Sequence, residues 1–103
     1  MMFTILRTDK FNEQLNEIIL YIAADSGSVD AALSVLDRIE ADIGRLKEFP
    51  ACGSLPRLAS LRRRGYRILL SMRWIVFYKA DAKNNTVMLY AITDQSRDYK
   101  DLL

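Results

Sequence analysis

Arg62-Arg63-Arg64-Gly65-Tyr66-Arg67-Ile68-Leu69-Leu70, followed after Ser71-Met72-Arg73 by Trp74-Ile75-Val76-Phe77-Tyr78, is the stretch from which the fold can be read. From Gly65 the side chains change face with a period of two. Tyr66, Ile68 and Leu70 point one way and Arg67 and Leu69 the other, as in a pleated strand. Past a turn near Ser71 to Arg73, Trp74, Val76 and Tyr78 alternate with Ile75, Phe77 and Lys79. This second strand is apolar on both sides for most of its length, which places it in the middle of a sheet with both faces partly covered. Lys83-Asn84-Asn85 supplies residues tolerant of positive φ for the next hairpin. A third run, Thr86 to Ile92, follows, with Val87, Leu89 and Ala91 alternating with Met88, Tyr90 and Ile92. The three runs predict an antiparallel meander that carries cationic groups on its rim.

Upstream, Phe3-Thr4-Ile5-Leu6-Arg7 reads as a short first strand that stops at Thr8-Asp9. Phe11, Leu15, Ile18, Ile19 and Ile22 then repeat at the spacing of one helical face, with Thr8 or Asp9 as the cap and a solvated face of Lys10, Asn12, Glu13, Asn16 and Glu17. Gly27 ends this helix, and Ser28 caps a second with Asp30 in its first turn. The second helix runs through Val29, Ala32, Leu33, Leu36, Ile39, Ile43 and Leu46, and Pro50 stops it. So short a connector makes the pair an antiparallel hairpin. Gly44 weakens the second helix, and the expected compensation is close approach of the first. Phe49 to Ser60, with both prolines and Gly53, reads as a loop in which Leu55-Pro56-Arg57-Leu58 is extended. The expected class is therefore α+β, with an N-terminal strand, an antiparallel helical hairpin and a three-stranded antiparallel meander, in one domain over residues 1–103.

The overall balance of 15 basic and 13 acidic side chains hides an uneven distribution. Residues 1–54 hold five basic and nine acidic side chains, and residues 55–103 hold ten and four. Between Leu55 and Ala80 there are seven Lys or Arg and no Asp or Glu. A C-terminal half of this sign suits an anionic partner. The one cysteine, Cys52, excludes an internal disulfide and fits a reducing cytoplasm. No run approaches the ~20 apolar residues that span a bilayer, so no membrane role is expected.

With no histidine and no grouped carboxylates, the sequence calls for no metal and no cofactor, and conventional nucleophilic catalysis has no base to serve it. What remains is a set of arginines with tyrosines beside them: Arg62, Arg63, Arg64, Tyr66, Arg67, Arg73, Arg97 and Tyr99. Guanidinium is a rigid, permanently charged fork matched to phosphate or carboxylate, and tyrosine adds a stacking face and a weak proton donor. Such groups bind nucleic acid, grip an acidic protein, or cleave RNA without metal by stabilising the phosphorane and protonating the leaving oxygen.

Several segments together resemble the RelE/ParE superfamily of toxins from bacterial type II toxin-antitoxin systems. They are Ile18 to Ala23 (IILYIA), Phe49-Pro50 with Gly53 and Leu58, Leu61-Arg62 with Gly65-Tyr66-Arg67, Ile75-Val76-Phe77-Tyr78, and Ile92 with Arg97-Asp98-Tyr99. The likeness covers almost the whole chain and implies a cytoplasmic toxin of the plasmid-stabilisation type, neutralised by a cognate antitoxin protein. RelE-like members resemble ribosome-dependent nucleases that cut mRNA, with an arginine three residues before the tyrosine that ends the central strand. That position is Ile75 here, which favours the ParE-like branch, whose members resemble binding modules that poison DNA gyrase. On the gyrase reading the target-binding residues are Arg62, Arg63, Arg64, Tyr66, Arg67, Arg73 and Arg97. On the ribosome reading, a metal-independent endoribonuclease would draw on Arg67, Arg73, Arg97 and Tyr99.

Overall fold

The computed structural model describes residues 2–97 and residue 103. Strand β1 (Thr4–Arg7) leads into α1 (Asp9–Ser26) and α2 (Val29–Gly44), the latter continued by a 3-10 turn at Arg45–Lys47. A short helix α3 (Ala59–Arg63) precedes β2 (Arg67–Ser71), β3 (Trp74–Asp81) and β4 (Thr86–Asp94). The strands form one sheet in the order β1-β4-β3-β2. β2, β3 and β4 are the expected antiparallel meander, and β1 joins it as a fourth strand parallel to β4, from Thr4 opposite Thr86 to Arg7 opposite Leu89.

Local chemistry sets the helix ends. Thr8 Oγ1 accepts from the Phe11 N–H at 3.0 Å, and Ser28 Oγ accepts from Ala31 N–H at 3.1 Å. Gly27, at φ 68°, closes α1 in the left-handed conformation. The hairpin packs on one face of the sheet, where Phe11, Leu15, Ile39 and Ile43 meet Leu69, Trp74, Val76, Tyr78, Val87 and Leu89. The other face holds a second cluster of Leu61, Tyr66, Ile75, Phe77 and Ala91, with Leu58, Ile68, Tyr90 and Leu103 against it. β3 is central and covered on both faces, as its double-sided apolar pattern requires.

Four features depart from the sequence expectations. The segment expected to run as loop into strand folds at Ala59–Arg63 into α3, which lays Leu61 on the second face of the sheet. The even alternation expected along β4 breaks: Phe77 faces Ala91 but Tyr78 faces Leu89, so Tyr90 is the extra residue of a β-bulge. The bulge puts Tyr90 and Ala91 together on the second face and returns Ile92 to the helical side. Gly44 does not admit the first helix, because a Cβ built there would meet nothing within 4 Å. Val29 and Leu33, on the apolar stripe expected for the second helix, are exposed at the free end of the hairpin rather than packed with Ile39 and Ile43.

Candidate functional site

The arginines expected to form one rim are divided between two surfaces, with Arg67 apart from both. The first is a corner made by α3 and the sheet face it covers. Arg62 donates through Nη1 to the carbonyls of Pro56 (2.8 Å) and Arg57 (2.6 Å), tying the approach loop to the helix. Arg63 is exposed, and Arg64 lies over the Tyr66 ring at 5.1 Å while donating to the Leu103 carbonyl at 3.1 Å. Tyr66 packs edge-on to Tyr90, with ring centroids 5.3 Å apart, and Lys79 Nζ stands 4.4 Å from the first ring and 5.4 Å from the second. Lys79 is the member that sequence reasoning missed. Its place on the strand next to that of Tyr90 and on the same face as Phe77 was the available signal, but only the bulge brings the Tyr90 ring under it.

Arg67 follows Tyr66 as the first residue of β2 and lies on the opposite face, beside Tyr78. Its Nη2 donates to the carbonyls of Ala51 (3.1 Å) and Gly53 (2.9 Å). Beside it, Tyr78 Oη donates to the Pro50 carbonyl at 2.8 Å and accepts from the Gly53 N–H at 3.1 Å. Burial pushes the Tyr78 phenol above its ordinary pKa, opposed by the Gly53 N–H and the Arg67 guanidinium. Arg67 and Tyr78 thus clamp the 50–53 loop to the sheet.

Arg73 and Arg97 line the second place, a groove of about 560 Å³ between α1 and the ends of β3 and β4. Trp74, Ile92, Ile18 and Tyr21 give it an apolar floor and wall, and Glu13 and Glu17 face it from α1. Arg73 stacks on Trp74 with its guanidinium carbon 4.9 Å from the ring, and its Nε donates to Asp94 Oδ2 at 2.7 Å. Two hydrogen bonds from Ser96, through backbone and side chain, and the Arg73 contact hold the Asp94 carboxyl at about 2. Arg67 pairs with Tyr78 and the groove begins at Trp74, four residues along β3, or about 13 Å. The structure therefore joins Arg73 to Arg97 and leaves Arg67 apart from them, while Tyr99 lies outside the described residues. Among the described residues no three His, Cys, Asp or Glu side chains are gathered to hold a metal ion, and no helix is long and apolar enough to cross a membrane.

A third surface is apolar. Leu20 (62% exposed) and Tyr21 (64%) in the last turns of α1, and Val29 (67%) and Leu33 (47%) in the first turns of α2, sit at the free end of the hairpin. The signal for it was present: Leu20 and Tyr21 fall off the apolar stripe of α1, so no core position was available to them.

The fold has known counterparts. A structure of the chromosomal ParDE toxin-antitoxin system from Pseudomonas aeruginosa matches with a TM-score of 0.74 at 15% identity, covering 90% of this chain and 96% of that one. A chain of the toxin-antitoxin complex RelBE2 from Mycobacterium tuberculosis matches with a TM-score of 0.63 at 16% identity, covering 91% and 99%. A conserved hypothetical protein from Helicobacter pylori matches at 0.50 with 20% identity, covering 92% and 97%. Comparison with curated proteins gives no match. The family model described as the ParE toxin of the type II toxin-antitoxin system parDE matches residues 5–99. With that match across nearly the whole domain, and a strand, hairpin and meander in the matching order, the chain belongs to the ParE toxin family of type II toxin-antitoxin systems.

Proposed function

We propose that this toxin acts in the cytoplasm, arresting growth by binding and poisoning DNA gyrase, and that a cognate antitoxin neutralises it. The observation that carries the choice of target is Ile75. Where the nuclease branch is expected to place an arginine, this chain buries an isoleucine, 6% exposed, in the second cluster. Arg67 and Arg73 are held by neighbours at separate places, an arrangement better suited to gripping a surface than to general acid-base work on one phosphate.

The antitoxin contact fits the hairpin tip. An amphipathic helix laid on Leu20, Tyr21, Val29 and Leu33 would cover apolar side chains that the fold leaves in water. Purified toxin is expected to reduce gyrase supercoiling and to accumulate cleaved DNA in a dose-dependent way, with both effects cancelled by antitoxin. A folded sample that leaves both readouts unchanged would refute gyrase as the target. The competing reading, a ribosome-dependent mRNA endoribonuclease, draws on the single groove shared by Arg73 and Arg97. Cleavage of mRNA on programmed ribosomes, lost in Arg73→Gln, would establish it.

A further inference from the structure

We infer that the α3 corner is a binding surface for the phosphodiester backbone of double-stranded nucleic acid, so that the toxin touches DNA as well as the enzyme bound to it. The first observation is a contrast in how arginines are neutralised. Arg7 pairs with Glu40, Arg38 with Asp42 and Arg73 with Asp94, all away from α3. Arg57 and Arg63 are exposed and have no anionic partner among the described residues, in a segment with no acidic side chain from position 55 to 80. Uncompensated exposed cations raise the local potential and concentrate polyanions.

The second observation is rigidity. The Arg62 guanidinium bonds to the carbonyls of Pro56 and Arg57, and Leu61, 2% exposed, anchors the helix in the second cluster. The cations are thus presented on a fixed frame rather than on a loose loop, which lowers the ordering cost of binding. The third observation decides the form of nucleic acid. Tyr66 is 5% exposed and already engaged with Tyr90, Arg64 and Lys79, so no ring is free to stack an unpaired base. Nor does the stretch from 55 to 80 contain Asn or Gln to read base edges. A surface of charge with no free ring to stack a base fits the duplex backbone, whose contacts carry no sequence information.

The physiological role of this contact rests on the gyrase reading, but the contact itself is measured without gyrase. The test is fluorescence anisotropy of the whole chain with a labelled 20-base-pair DNA duplex across a KCl series. Three phosphate contacts, from Arg57, Arg63 and Arg64, give a log-log salt slope of about −2.7, or about 40-fold weaker binding between ~50 and ~200 mM salt. Arg57→Gln/Arg63→Gln is expected to bring the slope to about −0.9, whereas Arg38→Gln, in α2 on the other face of the sheet, leaves it unchanged. Circular dichroism melting checks that the variants remain folded, and Arg63→Lys is expected to restore part of the affinity. Absence of duplex binding, or an unchanged slope in the double variant, overturns the inference. So does single-stranded RNA of equal length binding ten-fold tighter, or an acidic peptide binding the corner where duplex does not. Gyrase inhibition that persists in the double variant separates the two readings: the DNA contact is then dispensable for poisoning. Duplex binding with no effect on gyrase leaves the DNA contact standing and removes gyrase as the target.

Discussion

Replacing Gly53 with alanine is expected to cost about 3 kcal/mol, although the change adds a single methyl group. No positive φ is involved; the obstacle is space. A Cβ at Gly53 would stand 2.3 Å from the Ile68 carbonyl oxygen and 2.6 Å from the Tyr78 hydroxyl. The first is backbone of β2 and cannot swing aside, so the loop must move by roughly 1 Å. Doing so breaks the bridge in which Ser54 N–H donates to Ile68 O and Ile68 N–H to Ser54 O, both at 2.8 Å, and the bond from Gly53 N–H to Tyr78 Oη. Three bonds at ~1 kcal/mol net each give the figure, and for a domain of this size that lowers Tm by more than about 10 °C. Urea unfolding of Gly53→Ala, Tyr78→Phe and the double variant measures it. Tyr78→Phe leaves the Pro50 carbonyl and Gly53 N–H without their partner and costs about 1–3 kcal/mol. In the double variant the hydroxyl is gone but the Ile68 carbonyl remains, so the alanine still costs at least ~2 kcal/mol more than Tyr78→Phe alone. A Gly53→Ala protein within ~0.5 kcal/mol of wild type would refute the close-approach reasoning.

Trp74→Ala and Phe77→Ala each remove a large buried ring, and denaturant midpoints should show losses of ~3–5 kcal/mol. Gly44→Ala should raise stability by about 1 kcal/mol in the same assay, since the site is helical at φ −57° and open around the missing Cβ. The Asp94 carboxyl ionises at about 2 in the folded chain against an ordinary 3.8, so its stabilisation is complete above about pH 4 and is lost as pH falls through 2. Asp94→Asn should therefore flatten the dependence of the urea midpoint on pH across that window. Leu20→Glu/Leu33→Glu should change stability by no more than ~0.5 kcal/mol yet abolish antitoxin rescue in a co-expression growth assay.

What the sequence discloses and what it withholds divide along a physical line. The hairpin and the meander were legible because each element buries one face, and burial imprints its period: 3.6 from Phe11 to Leu46, two from Tyr66 to Tyr78. Helix α3 was not, because five residues hold too little period, and no side-chain cap announces it. It is fixed from outside, by Leu61 against the sheet and by Arg62 reaching back to Pro56 and Arg57. The bulge at Tyr90 is likewise set by neighbours: β1 ends at Arg7, and Thr8 and Gln14 take up the backbone of β4 beyond it, through Tyr90 O and Ile92 N–H. The arginines were visible as charge, but their engagement was not. Arg67 meets Ala51 and Gly53, and Arg73 meets Asp94, across separations that only the folded chain closes. The hairpin tip was legible in principle, since Leu20 and Tyr21 depart from the stripe of α1.

The parallel pairing of β1 with β4 also sets a timetable for synthesis. Thr4 waits for Thr86, 82 positions later, and at ~5–20 residues per second that is roughly 4 to 16 s after β1 leaves the peptidyl-transferase centre. Until then the central strand lacks its β4 neighbour, and the nascent chain has no finished sheet against which to seat α1. A toxin built this way is without its finished sheet for most of its own translation, while the residues of α1 and α2 have all been joined by Gly44.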